Sequence, residues 1–150
     1  MADAAAHFDQ TTTDAIAKRL RSLDDNTPPL WGSMTVPQMR AHMKTAVRYS
    51  LGKEPLVPPE GSAFVRLIFP LFLNGWLKLP RNAEKPKLYQ GAPPTATLDE
   101  VMEEVKEFRA GAEAGTLDPP PHSALGDLGL VGWAKLHRIH FDHHLRQFGV

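Results

Sequence analysis

Cysteine is missing from all 150 positions. Its absence excludes disulfides, thiolate metal sites, iron–sulfur clusters and a cysteine nucleophile together. It agrees with a reducing compartment, so a cytoplasmic location is expected. Net charge is missing too, because 17 basic side chains balance 17 acidic ones. With no block of either sign, neither nucleic acid nor an anionic membrane surface is expected as a partner. The N-terminal stretch MADAAAHFDQ lacks a basic region followed by an apolar core, so no secretory leader is expected there. An uninterrupted hydrophobic run is also lacking. The most apolar stretch, SAFVRLIFPLFLNGWLKL at 62–79, is broken by Arg66, Pro70, Asn74 and Lys78. That argues against a membrane span and for a buried, kinked helix or a surface covered by a partner. Strand-like alternation and internal repeats are absent, which leaves helices.

What is present fits one helical domain over residues 1–150, with 42% hydrophobic residues for its core. In TTTDAIAKRLRSLD, Ile16, Leu20 and Leu23 recur at helical spacing, and Thr11 to Thr13 offer N-caps. The turn NTPPLWGSM follows. A second helix begins at Thr35, where Gln38 completes a capping box and Pro37 occupies the first turn. Its inward stripe is Met39, His42, Met43, Ala46 and Tyr49 or Ser50, and Gly52 ends it. Residues 53–96 read as a long crossover with one irregular helix, the part LPRNAEKPKLYQGAPP being exposed coil. Thr97 and Glu100 open another helix with the stripe Leu98, Val101, Met102, Val105 and Phe108, its glutamates facing outward. The last helix covers about Val131 to Phe148. The expected fold is all-α, an antiparallel four-helix bundle with a long crossover between its second and third bundle helices.

The last helix carries the chemistry, in the segment HFDHHLRQFG. Residues four apart on a helix differ by about 40° in direction and roughly 6 Å along the axis. His140 and His144 therefore share one face, and His143 points away from it. Trp133, His137, Phe141 and Phe148 fall on or near that same inward face. Imidazoles embedded in an apolar stripe need partners. Taken singly, each fits a hydrogen-bonded core histidine. Taken together, His42, His140 and His144 fit three ligands to one divalent cation, with positions left open for water or substrate. His137 fits a fourth ligand or, preferably, a group supporting the ligands. No glutamate lies between His140 and His144, so the H-E-x-x-H pattern and its built-in base are absent. His7 and His122 read as a tail residue and a loop residue.

The segments WGSMTVPQMRAHM and GWAKLHRIHFDHHLRQFGV resemble the DinB-like superfamily. In particular, the chain resembles a bacterial branch ending in an HHLRQFG-type motif. The C-terminal pattern falls on His140, His143, His144 and Gln147. The resemblance implies a four-helix bundle with metal ligands at His42, His140 and His144, the same three that the helical wheel selects. It leaves Gln147, with His137 and Trp133, as supporting or pocket residues. Leu145-Arg146 stands where many members have Arg-Gly, and His122-Ser123 where branch members have His-Pro, which leaves the substrate open. Some relatives are S-transferases or isomerases using a low-molecular-weight thiol, and others are hydrolase-like. The expectation is an enzyme dependent on Zn, Ni or Fe(II), acting on a small-molecule substrate, with a small thiol as co-substrate. Arg48 and Arg146 are candidates for steering an anionic group. The alternatives are metal-assisted hydrolysis and a non-catalytic metal- or ligand-binding bundle. A homodimer covering the stretch from Phe64 to Leu79 is a further expectation.

Overall fold

The structure, a computed structural model, describes residues 2–81 and 94–150. Among them are six α-helices and no β-strand: α1 (Ala2–His7), α2 (Gln10–Arg21), α3 (Val36–Ser50), α4 (Ala63–Leu73), α5 (Leu98–Ala114) and α6 (Gly129–Gln147). The all-α expectation holds. The coil expected over 79–94 lies largely outside the described residues.

Both capping boxes form. Thr35 Oγ1 accepts from the Gln38 amide at 3.3 Å while Gln38 Oε1 accepts from the Thr35 amide at 3.0 Å. Thr97 and Glu100 repeat the exchange at the start of α5. Each reciprocal pair satisfies two backbone N–H groups that the first helical turn leaves without partners. Gly52 and Gly115 follow α3 and α5 at φ 72° and 66°, the left-handed conformation that glycine adopts at low cost.

The start of the chain departs from expectation. The threonines do not cap α2. Asp9 does, accepting from the Thr12 amide at 2.7 Å, and Thr13 is buried inside the helix. The segment before Asp9 is itself a helix, α1, packed on α6 and α5, with Ala4 and Phe8 in the core. Its alanines carry too weak a periodic signal to announce one turn and a half of helix.

α3 packs on α5 and α6, and α2 packs on the same pair. Residues of the stripes read from sequence meet here: Met39 and Met43 from α3, Val101, Val105 and Phe108 from α5, Phe141 from α6, and they are joined by Val47 and Leu145, which lay outside those stripes. The glutamates of α5 do not all face out. Glu104 is buried and bridges Arg48 (2.9 Å) and Lys53 (2.8 Å), tying α3 to α5. α4 contains Pro70 as expected, but it is not a buried helix, since Phe69 alone is buried in it. The C-terminus is held by packing and polar contacts. Phe148 is buried, Arg19 donates to the Val150 carbonyl at 2.7 Å, and the Leu30 amide donates to the Gln147 carbonyl at 2.7 Å.

Candidate metal centre

α3 and α6 bring the three selected histidines together. His42 Nε2 lies 3.0 Å from His140 Nε2, which lies 3.1 Å from His144 Nε2. The ring centroids are 4.8 to 4.9 Å apart for all three pairs. One donor atom from each residue falls within 4.8 Å of the others. The packing of α3 against α6 sets His42 opposite His140, and one further turn of α6 brings His144 to the same point.

Protonation follows from the hydrogen bonds. Gln147 Nε2 donates to the Trp31 carbonyl at 3.0 Å, so its Oε1 accepts from His144 Nδ1 at 2.8 Å. His144 therefore carries its proton on Nδ1 and turns a lone pair on Nε2 toward His140. Burial first, and then the neighbouring His144 and His42, hold the His140 pKa well below the usual imidazole range. Lone pairs crowded at 3 Å repel one another unless a proton or cation sits among them.

The donor set fits a divalent cation. Bonds of about 2.0–2.1 Å at tetrahedral angles separate neighbouring nitrogens by roughly 3.4 Å. Small ring rotations bridge the difference from 3.0 and 3.1 Å. The group contains imidazoles only. Three neutral ligands leave a cation with its full charge and with open coordination positions.

Gln147, expected as a supporting or pocket residue, is hydrogen-bonded to His144. Replacing it with leucine frees the His144 ring and leaves the Trp31 carbonyl unpaired. Metal affinity is expected to fall about 10- to 100-fold in Gln147→Leu, read by competitive chelator titration with the helical circular dichroism unchanged.

His137 does not join the trio. It is fully buried among Phe8, Phe108 and Trp133, and its Nε2 pairs with Ser50 Oγ at 2.8 Å. Ser50 donates its own proton to the Val47 carbonyl at 2.7 Å, so His137 Nε2 is the donor between them. Its Nδ1 is buried without a hydrogen-bond partner. Burial pushes its pKa down to about 3. Trp133 does not reach the trio either. It stacks between His122 and His137 and donates to the Pro120 carbonyl at 2.9 Å. His122 is more than a loop residue. Its Nδ1 accepts from the Ala124 and Leu125 amides at 3.0 and 3.3 Å, and burial lowers its pKa to about 4.

His143 faces Trp31, with centroids 5.9 Å apart, and stands outside the Nε2 trio, as the wheel requires. Arg81 lies over the same indole at 4.1 Å. The arginines considered for steering are engaged elsewhere: Arg48 by Glu54 and Glu104, Arg146 by Asp142 at 2.9 Å. Trp31 and Ser50 are the residues that sequence reasoning missed. Trp31 acts here through its carbonyl, which no side-chain pattern reveals. Ser50 shared its stripe position with Tyr49, and only the partner His137 distinguishes them.

Over residues 4–149 the chain matches the family described as "Protein of unknown function (DUF1569)". No curated protein and no solved structure gives a significant match.

Proposed function

The chain belongs to the DUF1569 family, and on that premise we propose that it is a divalent-metal-dependent enzyme, an S-transferase for a small thiol, with His42, His140 and His144 as the ligands. The observation that carries this reading is the meeting of three Nε2 atoms from two helices, one of them held as a lone pair by Gln147. The DinB-like four-helix bundle, formed by α2, α3, α5 and α6 with α4 in the crossover, belongs to the same proposal. The packing of α2 and α3 on both α5 and α6 supports it.

His42, His140 and His144 would hold the cation, which when bound would supply a lowered pKa to a thiol or water and so a nucleophile near neutral pH. The chain's own residues do the rest. As imidazole ligands, His42, His140 and His144 would bring no negative charge to the cation, so its charge would be left unquenched. Gln147 and the Trp31 carbonyl fix the tautomer of His144. On the same two helices Met39, Met43, Phe141 and Leu145 are buried in the core, away from bulk water. With no carboxylate in the trio, the thiol proton passes to solvent or to the leaving group of the electrophile. The resemblance of the two histidine-bearing segments to the DinB-like superfamily, some of whose members use a small thiol, favours the transferase over the hydrolase as the reading to test first.

The test uses protein purified without a histidine tag. Elemental analysis is expected to give about one Zn, Ni or Fe per chain. Thiol consumption against a panel of electrophiles should then be lost with chelator and restored with metal. Bound metal without thiol consumption would overturn the transferase and leave a hydrolase or a binding module, which ester and amide substrates distinguish.

A further inference from the structure

α4 combines high apolarity with little burial. Of its residues only Phe69 is buried, while Phe64 is 66% and Leu67 76% exposed, and Trp76, in the turn after it, is 76% exposed. Val65 and Leu77 extend the same surface. Apolar side chains so grouped mark a surface that something covers. Local charge says what. Between Glu60 and Glu84 there is no acidic residue, and the charges are Arg66, Lys78 and Arg81. The neutrality of the whole chain hides this bias, which is why total charge gave no hint of an anionic surface.

A two-fold contact with a second copy would bring a second Arg66 and Lys78 to the same contact, and the segment itself offers no acid to pair with them. A lipid surface has no such conflict. Exposed phenylalanine and leucine on α4, with tryptophan and lysine in the turn after it and Arg66 within it, suit the headgroup layer. No described helix is long and apolar enough to cross a membrane, so the contact is with the surface alone. Lys135, which donates to Asn74 Oδ1 at 3.2 Å, ties the end of α4 to α6.

We infer that α4 and the turn through Leu77 seat this protein on anionic membrane surfaces. Phe64, Leu67 and Trp76 enter the acyl boundary, and Arg66 and Lys78 meet lipid phosphates. This inference is independent of the metal reading.

The experiment uses the full chain with vesicles of phosphatidylglycerol and phosphatidylcholine, against vesicles of phosphatidylcholine alone. Sedimentation is expected to show binding to the anionic vesicles at least about tenfold tighter than to the neutral ones, weakened about tenfold by Lys78→Glu. Leu67→Asp should abolish it, with circular dichroism unchanged because Leu67 is exposed. Tryptophan emission should shift to the blue on binding, and Trp76→Phe should remove the shift. Absence of binding to anionic vesicles overturns the inference. A dimer by light scattering that Leu67→Asp dissociates, without vesicle binding, would assign the patch to a second copy. Trp76 shielded from a soluble quencher in the monomer, and exposed once residues 82–93 are deleted, would assign it to the chain's own segment. Either result also overturns the inference.

Discussion

His144→Ala is expected to abolish stoichiometric metal binding, while His143→Ala, one residue away, leaves it in place. The two rings lie side by side, with centroids 5.1 Å apart, yet they serve different surroundings. His144 offers Nε2 to the trio and is fixed from behind by Gln147. His143 faces the indole of Trp31. Losing one ligand of three lowers affinity by more than the 10- to 100-fold that loss of a supporting group costs, so binding in His144→Ala should weaken by more than about a hundredfold. Elemental analysis after dialysis against a weak chelator reads this directly, and circular dichroism checks that both variants fold. His42→Ala should match His144→Ala. Equal metal loss in His143→Ala and His144→Ala would refute the assigned ligands.

Metal-free protein is expected to lose stability steeply as pH falls from about 6.5 toward 4. The folded-state pKa of His137 is lowered to about 3 and that of His122 to about 4, each by burial, against 6.5 when unfolded. Above pH 6.5 both are neutral in either state and cost nothing. Below it the unfolded chain takes up protons that the folded chain refuses, so stability falls with acid down to the folded values. At pH 4.5 His137 and His122 each account for on the order of 3 kcal/mol. That total approaches the whole stability of many domains, about 5–15 kcal/mol. His137→Phe keeps an aromatic ring beside Phe8 and Phe108, while Ser50 keeps its bond to the Val47 carbonyl. The variant should flatten the acid limb of a urea-denaturation series measured against pH. An unchanged limb would mean that His137 protonates without resistance in the folded state.

The helices that run long enough to repeat their apolar positions were legible in the sequence. Met39 and Met43 in α3, and Val101, Val105 and Phe108 in α5, sit where their spacing predicts. The capping boxes at Thr35 and Thr97 were legible because each is a local exchange within four residues. The trio was legible for a similar reason. His140 and His144 declare their shared face by spacing, and His42 interrupts a stripe that is otherwise apolar. What stayed hidden depends on contacts across the chain. Phe8 is buried because α1 folds onto α6, far along the sequence. His137 departs from the ligand face because Ser50, 87 residues earlier, captures its Nε2. Glu104 reads as one more outward glutamate until Arg48 and Lys53 enclose it. The exposure of α4 could not be read from its composition, which suits a core helix equally well.

Gln147 grips two things at once. Its side chain joins His144 to the Trp31 carbonyl, and its own carbonyl receives the Leu30 amide. The turn between α2 and α3 and the His144 ring thus share one clasp. If a cation binds His144 as proposed and this clasp couples the two, whatever steadies the turn would tighten the cation, and the cation would steady the turn to the same degree. Hydrogen exchange at the Leu30 amide becomes a gauge of occupancy, slowing as metal is added and quickening as it is withdrawn.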